Sequence, residues 1–433
     1  MDQNSILNKL PLIFRYEDAK ELAGHIVNRR SIVLIGIKRV GIGSFLSFFI
    51  NRKDVIGAFI QDPQNYLFIP VDMNDLVECE IAPFWTLTLK RVVDAVESST
   101  IKENTKKEIR NLFLESIQLQ DLFFTIDSVR LSVKKIIEQG FMPTLFFLRF
   151  DRLKNSLTPE FFANLEGLRD FTNQQLSYIF TSYIPFKRTF PNVLSQAALS
   201  ILYKNVYFRP AKKEDKEIIF KFYKKRYDIK LSEKLEKHFL NLVDGHFQYL
   251  QLGLIALHNP HQEIKTEDEL SKYLLSDERI RLQSEELWES INSEEQKILI
   301  KISLGEKVSK DEKNNAMYLW DVGFIRKEGI RLRIFNPIFS YFAKERVSEE
   351  AKDSGVEFSK KELMFFEYLK ININSICERE KIIDEVWPEA SDLGISDWAI
   401  DKLAARVRTK LKLQKNNYEI QTIKTRGFKL TEA

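Results

Sequence analysis

Two stretches of this 433-residue chain place residue types at spacings that could do chemistry. The first is Gly36-Ile-Lys-Arg-Val-Gly41-Ile42-Gly43-Ser44, ahead of the apolar run Phe45-Leu-Ser-Phe-Phe49. Glycines at such positions let backbone amides turn toward an anion at the start of a helix. The second is the last stretch. Residues Lys402 to Leu430 hold nine Lys/Arg and one acid, Glu419, whereas residues 357–401 hold five Lys/Arg and eleven acids. A nearly neutral region has gathered its positive charge onto its final segments, the footprint of a surface that meets a polyanion such as duplex DNA.

The elements that must position those cations follow from local patterns. Ser359-Lys-Lys-Glu362 has the form of a capping box, with Leu363, Phe366, Tyr368 and Leu369 as the apolar face of the helix it opens. Arg379 to Val386 reads as a short second helix, closed by Trp387-Pro388. Ser396-Asp397 is an N-cap pair for a third. At about 100° per residue, Ile400, Leu403, Ala404, Val407 and Leu411 of the third helix share a buried arc. Trp398, Lys402, Ala405, Arg406 and Thr409 lie on the opposite arc, flanked by Arg408 and Lys412. Tyr418 to Ile423 alternates as a strand, Lys424-Thr-Arg-Gly427 is a basic turn, and Phe428-Lys-Leu430 returns as a second strand.

Three helices followed by a hairpin make a winged helix. Over residues 355–433 the segments FSKKE, IIDEVWP, AIDKLAARVRTKL and IQTIKTRGFKL resemble the OmpR/PhoB-type DNA-binding domain. The last two match that family's recognition-helix ending R-L-R-x-K-L and its wing pattern I-x-T-V-R-G-x-G-Y. The resemblance implies duplex DNA as partner. It places DNA-facing positions on Trp398, Lys402, Arg406 and Arg408, and wing positions on Thr422 and Lys424, with Arg426 a further cation at the wing tip. The family's wing Arg is Lys424 here, the following Gly is Thr425, and the final Tyr is Phe428. Lysine lacks the forked donors of arginine, so the wing is expected to add affinity. Base reading then falls to the helix, with Arg406 the candidate for a bidentate guanine contact.

Around the Gly-rich loop, Ser31 to Ile35, Tyr66 to Val71, Thr144 to Leu148 and Leu176 to Phe180 read as buried strands separated by helical patterns. That alternation predicts a parallel sheet with helices on both faces. The pieces GIKRVGIGSFL, TLFFLRFDRL, LSYIFTS and DGHFQYLQL resemble the AAA+/STAND class of P-loop ATPases over about residues 10–260. Each of that family's chemical positions is altered. Ile42 stands at the Walker A lysine and Gly43 at the magnesium-binding hydroxyl, with Ser44 beside it. Leu148-Arg149 stand at the Walker B acids, and Gly245-His246-Phe247 at the lid's Gly-x-Pro. The lysine neutralises terminal phosphates, the hydroxyl holds Mg²⁺ and the acids orient metal and water. Their loss predicts a pseudo-ATPase without hydrolysis and with no cofactor. Gly36, Gly41 and Gly43 still leave room for a weakly held nucleotide or phosphate.

Composition sets the frame. Apolar residues make up 44% and charged residues 30%, an ordinary globular balance, and the net charge of +4 excludes a general polyanion binder. Two cysteines, Cys79 and Cys377, suggest neither a disulfide framework nor a metal site, and fit a reducing cytoplasm. His258 and His261 are close but lack a third ligand. The N-terminus does not read as a signal peptide, and no apolar run is long enough for a membrane helix.

The expected architecture is therefore multidomain, α/β plus α+β. It comprises a degenerate P-loop domain (1–210), a helical lid with a charged connector (211–284), a structural winged helix (285–345) and, after a charged linker from Lys344, the DNA-binding winged helix (355–433). The expected function is a DNA-binding transcriptional regulator whose inactive module serves as sensor, scaffold or self-association platform. A working ATP-driven switch, resembling a replication initiator, and a protein-interaction scaffold are the alternatives.

Overall fold

The computed structural model describes residues 9–191, 193, 201–258, 264–350, 358–388, 395, 397–414, 416–423 and 426–432. The chain forms two compact units that do not follow sequence order. The first comprises 1–230, 244–250 and 317–326, and the second 231–243, 251–316 and 327–433.

The first unit is built on five parallel strands: β1 (Ile32–Gly36), β2 (Tyr66–Asp72), β3 (Met142–Leu148), β4 (Ser177–Ser182) and β5 (Lys204–Phe208). Their order is β2-β3-β4-β1-β5, so the strand that leads into the Gly-rich loop lies inside the sheet. Every residue of β1 and of β4 is buried, as strands covered on both faces must be. The register aligns Asp72 with Leu148 and Ile35 with Ser182, so the carboxyl ends of β1 to β4 meet along one edge. In open α/β sheets that edge is where ligands bind. The helix Ile42–Asn51 follows β1 directly and buries Phe45, Leu46, Phe48 and Phe49.

The four strands read from the sequence are present. β5 is an addition, and it is an edge strand whose first two residues are exposed. Further along, the helices Ser293–Ser303, Lys310–Asn315 and Met317–Asp321 precede β6 (Ile325–Glu328) and β7 (Arg331–Ile334), the helix-then-hairpin order expected there. The stretch expected as a linker from Lys344 is instead the end of the helix Pro337–Glu350. Among the described residues no helix is long and apolar enough to cross a membrane, and no group of three or more His, Cys, Asp or Glu could hold a metal. His261 lies outside the described residues.

The second unit ends in a winged helix: the helix Lys360–Ile371, β8 (Ile376–Glu378), the helix Arg379–Val386, the helix Asp397–Leu413, β9 (Tyr418–Ile423) and β10 (Gly427–Glu432). β10 pairs with both β8 and β9 in an antiparallel sheet. The capping box forms as read, with the Ser359 amide donating to Glu362 Oε2 at 2.7 Å. The apolar face of that helix differs in one respect: Phe365, Phe366 and Leu369 are buried, while Leu363 is exposed. The run Leu-Met-Phe-Phe offers two phases, and the one that seats both phenylalanines wins. Ile400, Leu403, Ala404, Val407 and Leu411 are all buried, as their arc predicts.

Gly427 is needed where β10 passes β8, because a Cβ there would lie 1.9 Å from the Cys377 carbonyl oxygen. Gly427→Ala is expected to destabilise the winged helix by ~1–3 kcal/mol through overpacking. Faster amide exchange in residues 376–378 and 427–432, with β1 to β4 unchanged, is the expected reading.

Candidate functional site

The helix Asp397–Leu413 is fixed in its domain by two of its own cations. Arg408 donates from Nε to the Ile420 carbonyl at 2.8 Å and from a terminal nitrogen to Thr422 Oγ1 at 2.7 Å, tying the helix to the wing. Lys410 Nζ reaches Glu362 Oε2 at 2.8 Å, with only 4% of the Glu362 side chain exposed. Burial alone would raise the Glu362 pKa, but the Lys410 and Ser359 hydrogen bonds hold it below its ordinary value. Arg379, on the preceding helix, holds Asp401 at 2.5 Å and Asp397 at 3.3 Å. The acids of the helix's first turns are thus occupied within the domain.

Of the positions expected to face DNA, Lys402 and Arg406 do stand on the face opposite the buried arc, each partly exposed, with the small residues Ala405 and Thr409 exposed beside them. Trp398 is half-buried and packs against the domain core. Arg408 and Thr422 hold each other, so they position the wing. Arg426 is exposed at the wing tip. Lys424 and Thr425, and the cap residue Ser396, lie outside the described residues.

The helix Glu278–Glu289 spans the end of the stretch read as a charged connector and the start of the expected structural winged helix, and the sequence reading gave it no role in the DNA-binding face. Glu278, Leu282, Glu285 and Glu289 recur at helical spacing on one face. That face meets the winged helix. Leu282 packs against its core. Glu278 pairs with Lys361 at 3.0 Å, Glu285 with Arg406 at 3.0 Å, and Glu289 with Lys402 at 2.6 Å. The acid spacing was visible, but its partners lie far away in sequence.

In the first unit the Gly-rich loop keeps a tight turn, with Arg39 and Gly41 at φ 60° and 105°. A Cβ on Gly36 would lie 2.7 Å from the Phe208 carbonyl oxygen and 3.0 Å from Ile42 Cδ1, so Ile42 folds back over the loop. Arg149, in a left-handed conformation just past β3, forms an ion pair with Asp72 from the end of β2. One of its guanidinium nitrogens stands 3.8 Å from the Cβ position of Gly43. A bound cationic side chain therefore sits at Gly43, ahead of Ser44. Asp151, two residues beyond Arg149, was not singled out from sequence. Burial pushes its carboxyl up to about 6, against the charges of Lys38 and Arg149.

The loop is clamped by the segment Gly245-His246-Phe247. Gly245 fits because a Cβ would lie 2.2 Å from the Ala211 carbonyl oxygen. His246 is fully buried, and its Nε2 lies 3.0 Å from the Lys38 carbonyl. The Phe247 Cβ approaches the Gly41 Cβ position to 3.0 Å. The space left beside the loop, lined by Phe14, Val40, Phe45, Tyr223 and Phe247, is about 20 Å³. Ligand pockets are typically ~300–1,000 Å³.

Residues 353–430 match the family model described as "Transcriptional regulatory protein, C terminal". No curated protein matches the chain. Among solved structures, the chain is similar to a Walker-type ATPase of Pyrococcus abyssi (16% identity, 78% of this chain and 99% of that one, TM-score 0.48). It is also similar to the ADP form of the Aeropyrum pernix ORC2 protein (11%, 80% and 98%, 0.46). A third is the Aeropyrum pernix ORC1 protein in complex with DNA (10%, 99% and 92%, 0.37).

His246 gives the loop clamp a pH signature. Burial depresses its pKa to about 4, with the hydrogen bond to Lys38 opposing and the charge of Arg39 adding. The unfolded state takes up its proton near the ordinary histidine value of about 6.5, so it binds more protons below that pH. The contribution is complete above about 6.5 and is lost as pH falls toward about 4. The urea midpoint of the first unit is expected to fall between pH 7 and pH 5, and His246→Gln to flatten that fall. An unchanged slope in the variant would remove His246 as its source.

Proposed function

We propose that this protein is a DNA-binding transcriptional regulator. It reads duplex DNA with its C-terminal winged helix and carries a STAND/AAA+-like module without ATPase chemistry. The observation that carries the reading is the face of Asp397–Leu413. Lys402 and Arg406 project there beside the small residues Ala405 and Thr409, within a segment matching the C-terminal domain of transcriptional regulatory proteins. Phosphate neutralisation by such cations gives affinity that falls steeply with salt. Arg406 is the side chain suited to a guanine edge, and Arg426 with Lys424 supplies the wing's charge.

In this reading the domains divide as 1–210, 211–284, 285–345 and 355–433, and the protein acts in the cytoplasm. The absence of catalysis is supported by Ile42 and Gly43 in the loop, by the Arg149–Asp72 pair at Gly43, and by the small space beside the loop. A magnesium–nucleotide would have to displace a cation, an isoleucine and the Phe247 clamp together. The module then serves as sensor, scaffold or self-association platform, and paired copies would read paired half-sites.

Selection of genomic fragments by the full-length protein is expected to enrich a defined sequence, and Lys402→Glu/Arg406→Glu to lose it. Enrichment that survives the variant would remove the helix from the reading. In equilibrium dialysis with Mg-ATP, retention below the micromolar range is not expected. Tight binding accompanied by phosphate release would instead favour the ATP-driven switch.

A further inference from the structure

The two cations best placed to meet DNA are already engaged. We propose that the helix Glu278–Glu289 is a built-in competitor for DNA, an acidic cover that occupies the recognition face of Asp397–Leu413 until duplex displaces it. The proposal rests on the DNA-binding reading above.

The contact resembles what a phosphate backbone would offer. Glu289 and Glu285 present carboxylates to Lys402 at 2.6 Å and to Arg406 at 3.0 Å, the distances of charge-assisted hydrogen bonds. Leu282 packs against the winged-helix core from the same helix face, and Glu278 holds Lys361 at 3.0 Å. The contact is therefore a docked surface running along the cover helix, with three ion pairs and an apolar contact in register. Lys402 and Arg406 cannot serve Glu289 and Glu285 and a DNA groove at once.

The cover is also built to let go. Glu285 is only 8% exposed, and stripping a buried carboxylate of its sole partner would be costly. Glu285 has others. Arg346 stands 3.6 Å and Arg281 3.8 Å from its Oε1, while Arg406 takes Oε2. When Arg406 leaves for DNA, the carboxylate keeps two cations. Glu289, at 28% exposure, can return to water. Away from the winged helix the cover helix is anchored, with Ile280 and Leu287 fully buried and Trp288 packed against Phe339 and Phe342, so the winged helix is the part that leaves.

The test measures binding of full-length protein to a mixed-sequence duplex of about three helical turns. Glu285→Gln/Glu289→Gln is compared with Glu306→Gln/Glu367→Gln, which removes the same charge from exposed positions away from the contact. The cover predicts roughly tenfold tighter binding for the first variant, the scale of an intramolecular coupling, and a clearly smaller gain for the second. Glu289→Gln alone should move in the same direction if the double variant folds poorly. Equal gains in both double variants, or none in either, would overturn the cover. If Lys402→Glu/Arg406→Glu still abolished wild-type binding, the DNA reading would stand without it. If no form of the protein bound duplex, the DNA reading would fail and take the cover with it.

Discussion

The helix Asp397–Leu413 carries five Lys/Arg against two acids, and the end of the molecule is organised by where these cations find their partners. Arg408 spends its guanidinium on the Ile420 carbonyl and Thr422, which fixes the wing. Lys410 reaches the buried Glu362, which also closes the capping box of the first helix. These two contacts set the angle between helix, wing and core, and both involve groups that could not be left unpaired without cost. Lys402 and Arg406 have no such duty inside the winged helix. Their partners come from a helix outside it. The cations of this helix thus separate into positioning ones and available ones, although all four look alike in sequence.

The Gly-rich loop shows the complementary case, in which backbone geometry is held by packing rather than by charge. Gly36 and Gly41 still permit the tight turn between β1 and its helix, because close approach and positive φ demand glycine there. Side chains pack closely about the loop: Ile42 against the Gly36 Cβ position, Arg149 beside that of Gly43, and Phe247 against that of Gly41. These contacts tie the loop to β3 and to the Gly245–Phe247 segment. A loop held in this way gains rigidity from packing.

What was legible in the sequence follows from how local each signal is. β1, β3 and β4 were readable because strands covered on both faces are largely apolar, and β2, although an edge strand, because it carries the apolar run Leu67 to Val71. β5 was not, since an edge strand opening Lys204-Asn205 has no such pattern. The arc of Ile400 to Leu411 was readable because helical phase is a property of the helix alone, whereas the face of Lys360–Ile371 was ambiguous with four apolar residues in a row. The site divided along the same line. That Lys402 and Arg406 share a face is local information. That Arg408 and Thr422 hold each other across 14 positions, or that Arg406 meets Glu285 across 121, depends on tertiary packing that no spacing rule encodes.

An acidic cover has a consequence for recognition that the ion pairs alone do not state. Non-specific binding to duplex is almost wholly electrostatic, whereas specific binding adds base contacts to the same phosphate contacts. Displacing the cover costs a fixed free energy, whichever sequence does the displacing. It leaves the ratio of specific to non-specific affinity unchanged and lowers both. The non-specific term, with only phosphate contacts to offset that cost, falls first below the concentration at which sites fill. Because the cover is tethered, its carboxylates compete at high effective concentration and need no partner. Salt weakens both the cover and the DNA contacts, but the pair at Glu285 is buried on its acidic side and is screened less than an exposed phosphate contact. Rising ionic strength should therefore shift the balance toward the covered form.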